Sequence, residues 1–248
     1  MAGRARHARR ELSQNFLRSS RLATHIVRGL NIGADELVLE IGAGDGRLTA
    51  ELTRYARRVV AIELDPHWAA QLRRRFEVVE GNALTVPLPK DPFRVVGNIP
   101  FHRTTAILHR LLDDPMLPLA RADLIMQWEV ARKRAAVIPS TRLGAEWGPW
   151  WEFELVRRFD ASAFVPRPDV DAGLLRILRR EPALVPVSEA AAYRTFVRGT
   201  FRRGFHSVVP PLLLKRSAAT LAFARGADPR DLDLHQWAGL YAAVRATG

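Results

Sequence analysis

The chain has 248 residues, of which 48% are hydrophobic and 26% charged, the proportions of a large α/β domain with a smaller appendage. Its formal net charge of +12 calls for a polyanionic partner, nucleic acid first among them. Cysteine is absent, which excludes disulfides, thiolate catalysis and cysteine-ligated zinc or iron–sulfur, and the seven histidines show no metal-ligand spacing with carboxylates, so no metal is expected.

In chain order, the first 21 residues carry Arg4, Arg6, Arg9, Arg10, Arg18 and Arg21 against Glu11 alone. They read as a basic arm and not as a secretory signal, because no apolar segment follows before "ELSQNF". "ELVLEIG" (36–42) is a buried strand ending in glycines, followed by helical spacing through Leu48, Leu52 and Tyr55. "RVVAIEL" (58–64) is a second strand and "PHWAAQLRRRF" (66–76) a helix opened by proline. "FEVVEGNA" and "FRVVGN" (93–98) supply two further strands, "TTAILHRLL" a helix, and "RADLIMQWE" (121–129) a fifth strand leading into "VARKRAAVI". "WWEFELVRRF" (150–159) and "GLLRILRR" (173–180) complete seven strands, with no helix between them and so an expected antiparallel edge pair.

Strands alternating with helices predict a Rossmann-like, doubly wound, mostly parallel sheet over residues 1–182. After 182 no strand pattern returns. Ser188 reads as an N-cap, Tyr193, Phe196, Val197 and Phe201 form an apolar stripe, and residues 183–248 are expected to be a small helical domain. This segment carries nine basic residues against Glu189, Asp228, Asp231 and Asp233. Arg194, Arg198 and Arg202 stand at i, i+4 and i+8, a spacing of like charges that an RNA phosphate track would compensate. With Arg203, Lys215 and Arg216 and the basic arm, they are the expected RNA-binding residues. No apolar run approaches membrane-spanning length, so a cytoplasmic monomer is expected.

Gly42, Gly44 and Gly46 lie between the first strand and its helix, where such sheets bind ligands. Glu63 ends the second strand, where an acid for ribose hydroxyls belongs. A nicotinamide dehydrogenase, a methyltransferase and a plain structural turn all fit these residues. Glu40, just before the loop, favours a cationic cofactor such as S-adenosylmethionine over a pyrophosphate, which it would repel.

"NIPF" offers no acid, base or nucleophile. An adenine amino group suits it: its two N–H hydrogens would meet the Asn98 amide oxygen and the Ile99 carbonyl, with Pro100 fixing the direction of that carbonyl and Phe101 stacking on the base. No strong base is needed, since the nitrogen sheds its proton only after becoming cationic, and positioning would carry the catalysis. The bland alternative is a strand-ending turn with Phe101 packed in the core.

Gly42-Ala43-Gly44, Glu63, "GNIPF", "LSQNFL" (12–17) and "FVPRPDVDAGLLR" (164–176) together resemble the rRNA adenine N6-methyltransferases, which comprise the Erm enzymes and the KsgA-type small-subunit dimethyltransferases. "MQWEVARKR" (126–134) and the isoleucine of "NIPF" lean toward Erm. The resemblance implies S-adenosylmethionine as cofactor, with Asn15 and Leu17 covering it, the Gly42 loop holding its methionine part and Glu63 its ribose. It also implies that Asn98 meets the target amino group, Phe101 stacks on the base, and Phe164 forms a second aromatic wall. Asn82 departs from the Asp usual in the family, so altered adenine recognition is expected there. The implied function is N6-methylation of an adenine in 23S rRNA before ribosome assembly, with resistance to macrolide-type antibiotics. A KsgA-like action on 16S rRNA and a non-catalytic RNA-binding assembly factor are the alternatives.

Overall fold

The computed structural model describes residues 15–224 and 226–247. Its helices are α1 (Ser20–Gly29), α2 (Arg47–Leu52), α3 (Pro66–Leu72), α4 (Thr104–Leu112), α5 (Trp128–Arg134), α6 (Arg142–Trp147), α7 (Ala190–Arg203), α8 (Pro211–Thr220) and α9 (Leu234–Arg245). Its strands are β1 (Phe16–Leu17), β2 (Leu37–Ile41), β3 (Arg58–Glu63), β4 (Glu77–Glu80), β5 (Phe93–Asn98), β6 (Leu119–Gln127), β7 (Trp151–Phe159), β8 (Phe164–Val165) and β9 (Ala172–Arg179).

The seven-stranded sheet has the order β4-β3-β2-β5-β6-β9-β7, and the β2–β3, β3–β4, β2–β5 and β5–β6 pairs are parallel. The chain winds outward from β2 to β4, then returns to lay β5 on the other side of β2. That reversal opens a crevice at the carboxyl ends of β2 and β5, the general ligand position of such sheets. Gly97 lets these two strands close up: a Cβ there would stand 2.6 Å from the Ile41 carbonyl oxygen.

Helix starts follow local chemistry. Ser19 caps α1 by accepting from the Leu22 N–H at 3.2 Å, and Asp65 caps α3 ahead of Pro66. Asp233 and Gln236 form a capping box at α9. Ser188 does not cap α7 as expected. It lies within a 3₁₀ turn (Val187–Glu189), and Glu189 takes the cap position without a side-chain bond.

The chain divides into two compact units, residues 1–132 with 154–177, and residues 133–153 with 178–248. The second unit therefore draws in α6 and the tryptophans after it, which a boundary at 182 leaves with the sheet. The reason is aromatic packing within that unit. Trp150 stands edge-on to Tyr193 at 5.6 Å and donates its indole N–H to the Val185 carbonyl, while Tyr193 meets Tyr241 at 5.2 Å. Trp237 joins Phe196 and stacks on Phe201.

In the first unit an apolar core joins Ile26, Val27 and Leu30 of the α1 region to Val38, Val59, Val96 and Ile125 of the sheet, and includes Leu17, Phe159 and Phe164. Asp123 is fully buried and receives three guanidinium groups, from Arg94 (2.9 Å), Arg121 (2.7 Å) and Arg176 (3.1 Å). Arg94 and Arg176 also donate to the carbonyls of Leu30, Asn31 and Gly29 at the end of α1. A carboxylate so placed would be costly without such partners.

Candidate functional site

The crevice at β2 and β5 is a cavity of about 860 Å³ including its open mouth. Asn15, Gly42, Gly44, Glu63, Asn82, Asn98, Ile99 and Pro100 line it, so eight of the residues singled out in the sequence converge there from five separate stretches of chain.

The glycine loop is built for close approach. Gly42, Gly44 and Gly46 all have positive φ (75°, 55° and 78°), which side chains oppose. At Gly44 a Cβ would sit 2.5 Å from the ring of Phe16, and the ring of Phe16 meets Trp68 edge-on at 5.3 Å. The Gly44 N–H donates to Glu63 Oε2 at 2.7 Å, and the Asp65 N–H donates to Glu63 Oε1 at 2.8 Å. Both oxygens are thereby fixed in direction, and each retains a lone pair for a hydroxyl donor. Burial raises the Glu63 pKa, against the pull of those two N–H groups.

Glu40 is 1% exposed and does not line the cavity. It shares the face of β2 with Val38, under α2, where neither of its oxygens has a hydrogen-bond partner. Thr49 stands beside it and pulls its carboxyl down, against burial and the nearby carboxylates of Glu63 and Asp45. Burial pushes its carboxyl up to about 8, so the group carries its proton at neutral pH until a cation comes near.

Asn98 ends β5 with its side chain at the cavity. Its Nδ2 donates one hydrogen to the Asn15 carbonyl at 2.5 Å, which fixes the direction of the amide and leaves its oxygen as an acceptor. The Ile99 N–H donates to the Ile125 carbonyl, holding that residue to β6, and Pro100 (φ −58°, ψ 125°) starts the 3₁₀ turn Phe101–Arg103. Asn82 accepts from the Leu84 N–H at 3.0 Å through Oδ1, so its amide N–H₂ is the part left for a ligand.

Four expected site residues lie away from the cavity wall. Leu17 is buried in the two-residue ladder of β1 with β8, where Leu17 pairs with Phe164 and Phe16 with Val165. Arg47 fastens this arm by donating to the Leu17 carbonyl. Phe164 is fully buried, edge-on to Phe159 at 6.3 Å, and so presents no open aromatic wall. Phe101 is half-buried against the same core instead of standing free. Glu40 is the fourth. Lining residues without an expected role include Phe16, Leu64, Leu84, Arg103 and Ile107; of these Phe16, inside "LSQNFL", carries a signal in the sequence.

Of the expected RNA contacts, Arg4, Arg6, Arg9 and Arg10 lie outside the described residues. The α7 ridge is not three free arginines. Arg198 makes a two-pronged pair with Glu146 at 3.0 Å on each oxygen, because that carboxylate is fully buried and needs counter-ions, Arg142 being the other. Arg194 lies over the ring of Trp150 at 5.4 Å. Arg202, Arg203, Lys215 and Arg216 are exposed. Among the described residues no group of three or more acidic or histidine side chains could hold a metal ion, and no helix is long and apolar enough to cross a membrane.

Residues 5–219 match the ribosomal RNA adenine dimethylase family. An rRNA adenine N-6-methyltransferase of Corynebacterium diphtheriae is 40% identical over 200 residues, 79% of this chain and 78% of that protein. The mycinamicin-resistance protein MyrB of Micromonospora griseorubida is 37% identical over 251 residues, covering 97% of this chain and 80% of its own. The crystal structure of the 23S rRNA methyltransferase ErmE superposes with a TM-score of 0.82 at 30% identity, over 93% of this chain and all of that one. With the glycine loop, Glu63 and the Asn98 turn brought together at the sheet's switch point, the chain belongs to the ribosomal RNA adenine dimethylase family and is a methyltransferase.

Proposed function

We propose that the protein methylates N6 of an adenine in 23S rRNA, using S-adenosylmethionine, and thereby confers resistance to macrolide-type antibiotics. The observation that carries this reading is the state of Asn98: one hydrogen of its Nδ2 is held by the Asn15 carbonyl, which fixes the direction of the amide and leaves its oxygen as an acceptor beside the Ile99–Pro100 turn. An adenine amino group offers two donors and needs such acceptors. The 23S target and the resistance phenotype are supported by the names of the relatives, an ErmE and a mycinamicin-resistance protein.

The residues present suit the cofactor. Gly42 and Gly44 give the loop the positive φ that carries it along the cavity wall, Glu63 holds lone pairs toward two ribose hydroxyls, and the unpartnered Glu40 behind the loop favours a positive charge nearby. When bound, S-adenosylmethionine supplies an electrophilic methyl group. Asn98 and the Ile99 carbonyl then take the two amino hydrogens and turn the nitrogen lone pair toward that group. The nitrogen would take the methyl as the methyl's bond to sulfur breaks, leaving the neutral thioether S-adenosylhomocysteine, and would release a proton to solvent, with no side-chain base required. This orientation is positioning catalysis. The target base must leave its stack to reach Asn98, and Phe101 would need to turn out of its half-buried seat to cover it.

Transfer of labelled methyl to protein-free 23S rRNA, free 16S rRNA and immature 30S particles, with primer extension to locate the product, tests the proposal. Product in the peptidyl transferase region of 23S rRNA is expected, together with a raised macrolide tolerance in a sensitive host. Asn98→Ala should lower turnover by at least about 100-fold with RNA affinity nearly unchanged. Product confined to small-subunit RNA would replace this reading with the KsgA-like one, and inertness toward all three would leave an RNA-binding factor.

A further inference from the structure

We infer that Arg103 holds a phosphate of the RNA strand next to the target adenine, an inference that rests on the RNA-modifying function proposed above. Arg103 lines the same cavity as Asn98, Ile99 and Pro100, yet its side chain is exposed. Its Nε donates to Nε2 of His102 at 3.2 Å, which leaves the four hydrogens of its two terminal nitrogens available. Among the described residues no carboxylate pairs with it. Arg94, Arg121, Arg176 and Arg198, by contrast, are committed to buried acids.

Its position also breaks a local rule. Arg103 occupies the N-cap of α4, with no side-chain cap bond and no acid in the first turn. Helix starts prefer Ser, Thr, Asp or Asn at that place, and a cation there opposes the helix dipole. The N–H groups of Arg103 and Thr104 are met within the preceding 3₁₀ turn by the Pro100 and Phe101 carbonyls, so what stands at this rim of the cavity is a guanidinium with spare donors beside His102, an arrangement that an anion would satisfy. A nucleotide whose base reaches Asn98 carries its own phosphate outward to that rim, and a planar guanidinium can take two phosphate oxygens at once. Local conflicts of this kind are expected where function, not folding, chose the residue.

The test compares wild type, Arg103→Ala and Arg103→Lys by fluorescence anisotropy with a short 23S hairpin across a salt series. It adds separate KM values for RNA and for S-adenosylmethionine. Arg103→Ala should weaken RNA binding and reduce the slope of log affinity against log salt by about 1. Its RNA KM should rise, while its cofactor KM stays put. Arg103→Lys should recover most of the affinity, because an ammonium still serves a phosphate as a point charge. A raised cofactor KM with unchanged RNA affinity would assign Arg103 to the cofactor instead, and an unchanged salt slope in a folded Arg103→Ala protein would make it a merely solvated residue. The two readings fail separately. If wild type binds RNA but methylates none, the catalytic proposal falls, and the salt slope still decides on Arg103.

Discussion

Without cofactor, the Glu40→Gln protein should gain on wild type as pH rises. Glu40 is buried without a hydrogen-bond partner, and burial pushes its pKa from 4.5 to about 8. The unfolded chain releases this proton near its ordinary value, while the folded chain keeps it until about pH 8. Between those limits the folded state binds more protons, so its stability falls as pH increases. The loss in wild type is about 3 kcal/mol at pH 7 but under about 1 kcal/mol at pH 5. Glutamine cannot ionise and escapes that loss. Its own unpaired amide adds a cost of roughly 1–3 kcal/mol, constant with pH, so the informative quantity is the change in the difference between the proteins. That change should be about 2–3 kcal/mol from pH 5 to pH 7, or roughly 5–10 °C in melting midpoint for a chain of this size. Thermal melts of both proteins at half-unit pH steps measure it. A constant offset across the range would show that Glu40 ionises normally in the folded state and would refute the reasoning.

Gly44→Ala should weaken S-adenosylmethionine at least about tenfold by calorimetry, since the new methyl meets Phe16 and the positive φ costs roughly 1–2 kcal/mol; unchanged affinity would mean that the loop relaxes freely. Phe164→Ala should cost about 3–5 kcal/mol in denaturant unfolding, as for any fully buried ring. Phe101→Ala, from a half-buried seat, should cost less stability and raise the RNA KM more. Equal stability losses with no kinetic change would reduce Phe101 to a core residue.

The features legible in the sequence were those whose chemistry is local. Three glycines after a strand, an acid closing the next strand and an amide closing the fourth needed no knowledge of distant partners, and all three reach the cavity. The seven strands were legible because each is a short apolar run between turn residues. What escaped depends on pairing across long separations. The β1–β8 ladder joins residues nearly 150 positions apart through only two residues on each side, too few to show a period. The commitment of Arg198 to Glu146 could not be read from helical spacing, because the buried carboxylate lies 52 residues earlier. Phe164 sits in a motif that suggested an open wall, but its ring fills the core beside Phe159. Arg103 was passed over because a cation at a helix start reads as noise until the cavity is seen beside it.

The arginine cluster around Asp123 also sets an order of assembly. Helix α1 has ten residues, too few to be stable alone in water, and the carbonyls at its end are met by Arg94 and Arg176, which follow it far along the chain. During synthesis, which runs from the N-terminus, this helix emerges before every strand of the seven-stranded sheet. It can be completed only once β9 has been made and docked. The end of this early helix is thus among the last parts to settle: its apolar face can pack on β2, β3, β5 and β6, but a nascent chain stalled before residue 176 would leave the Gly29 carbonyl without its arginine and Asp123 short of one counter-ion.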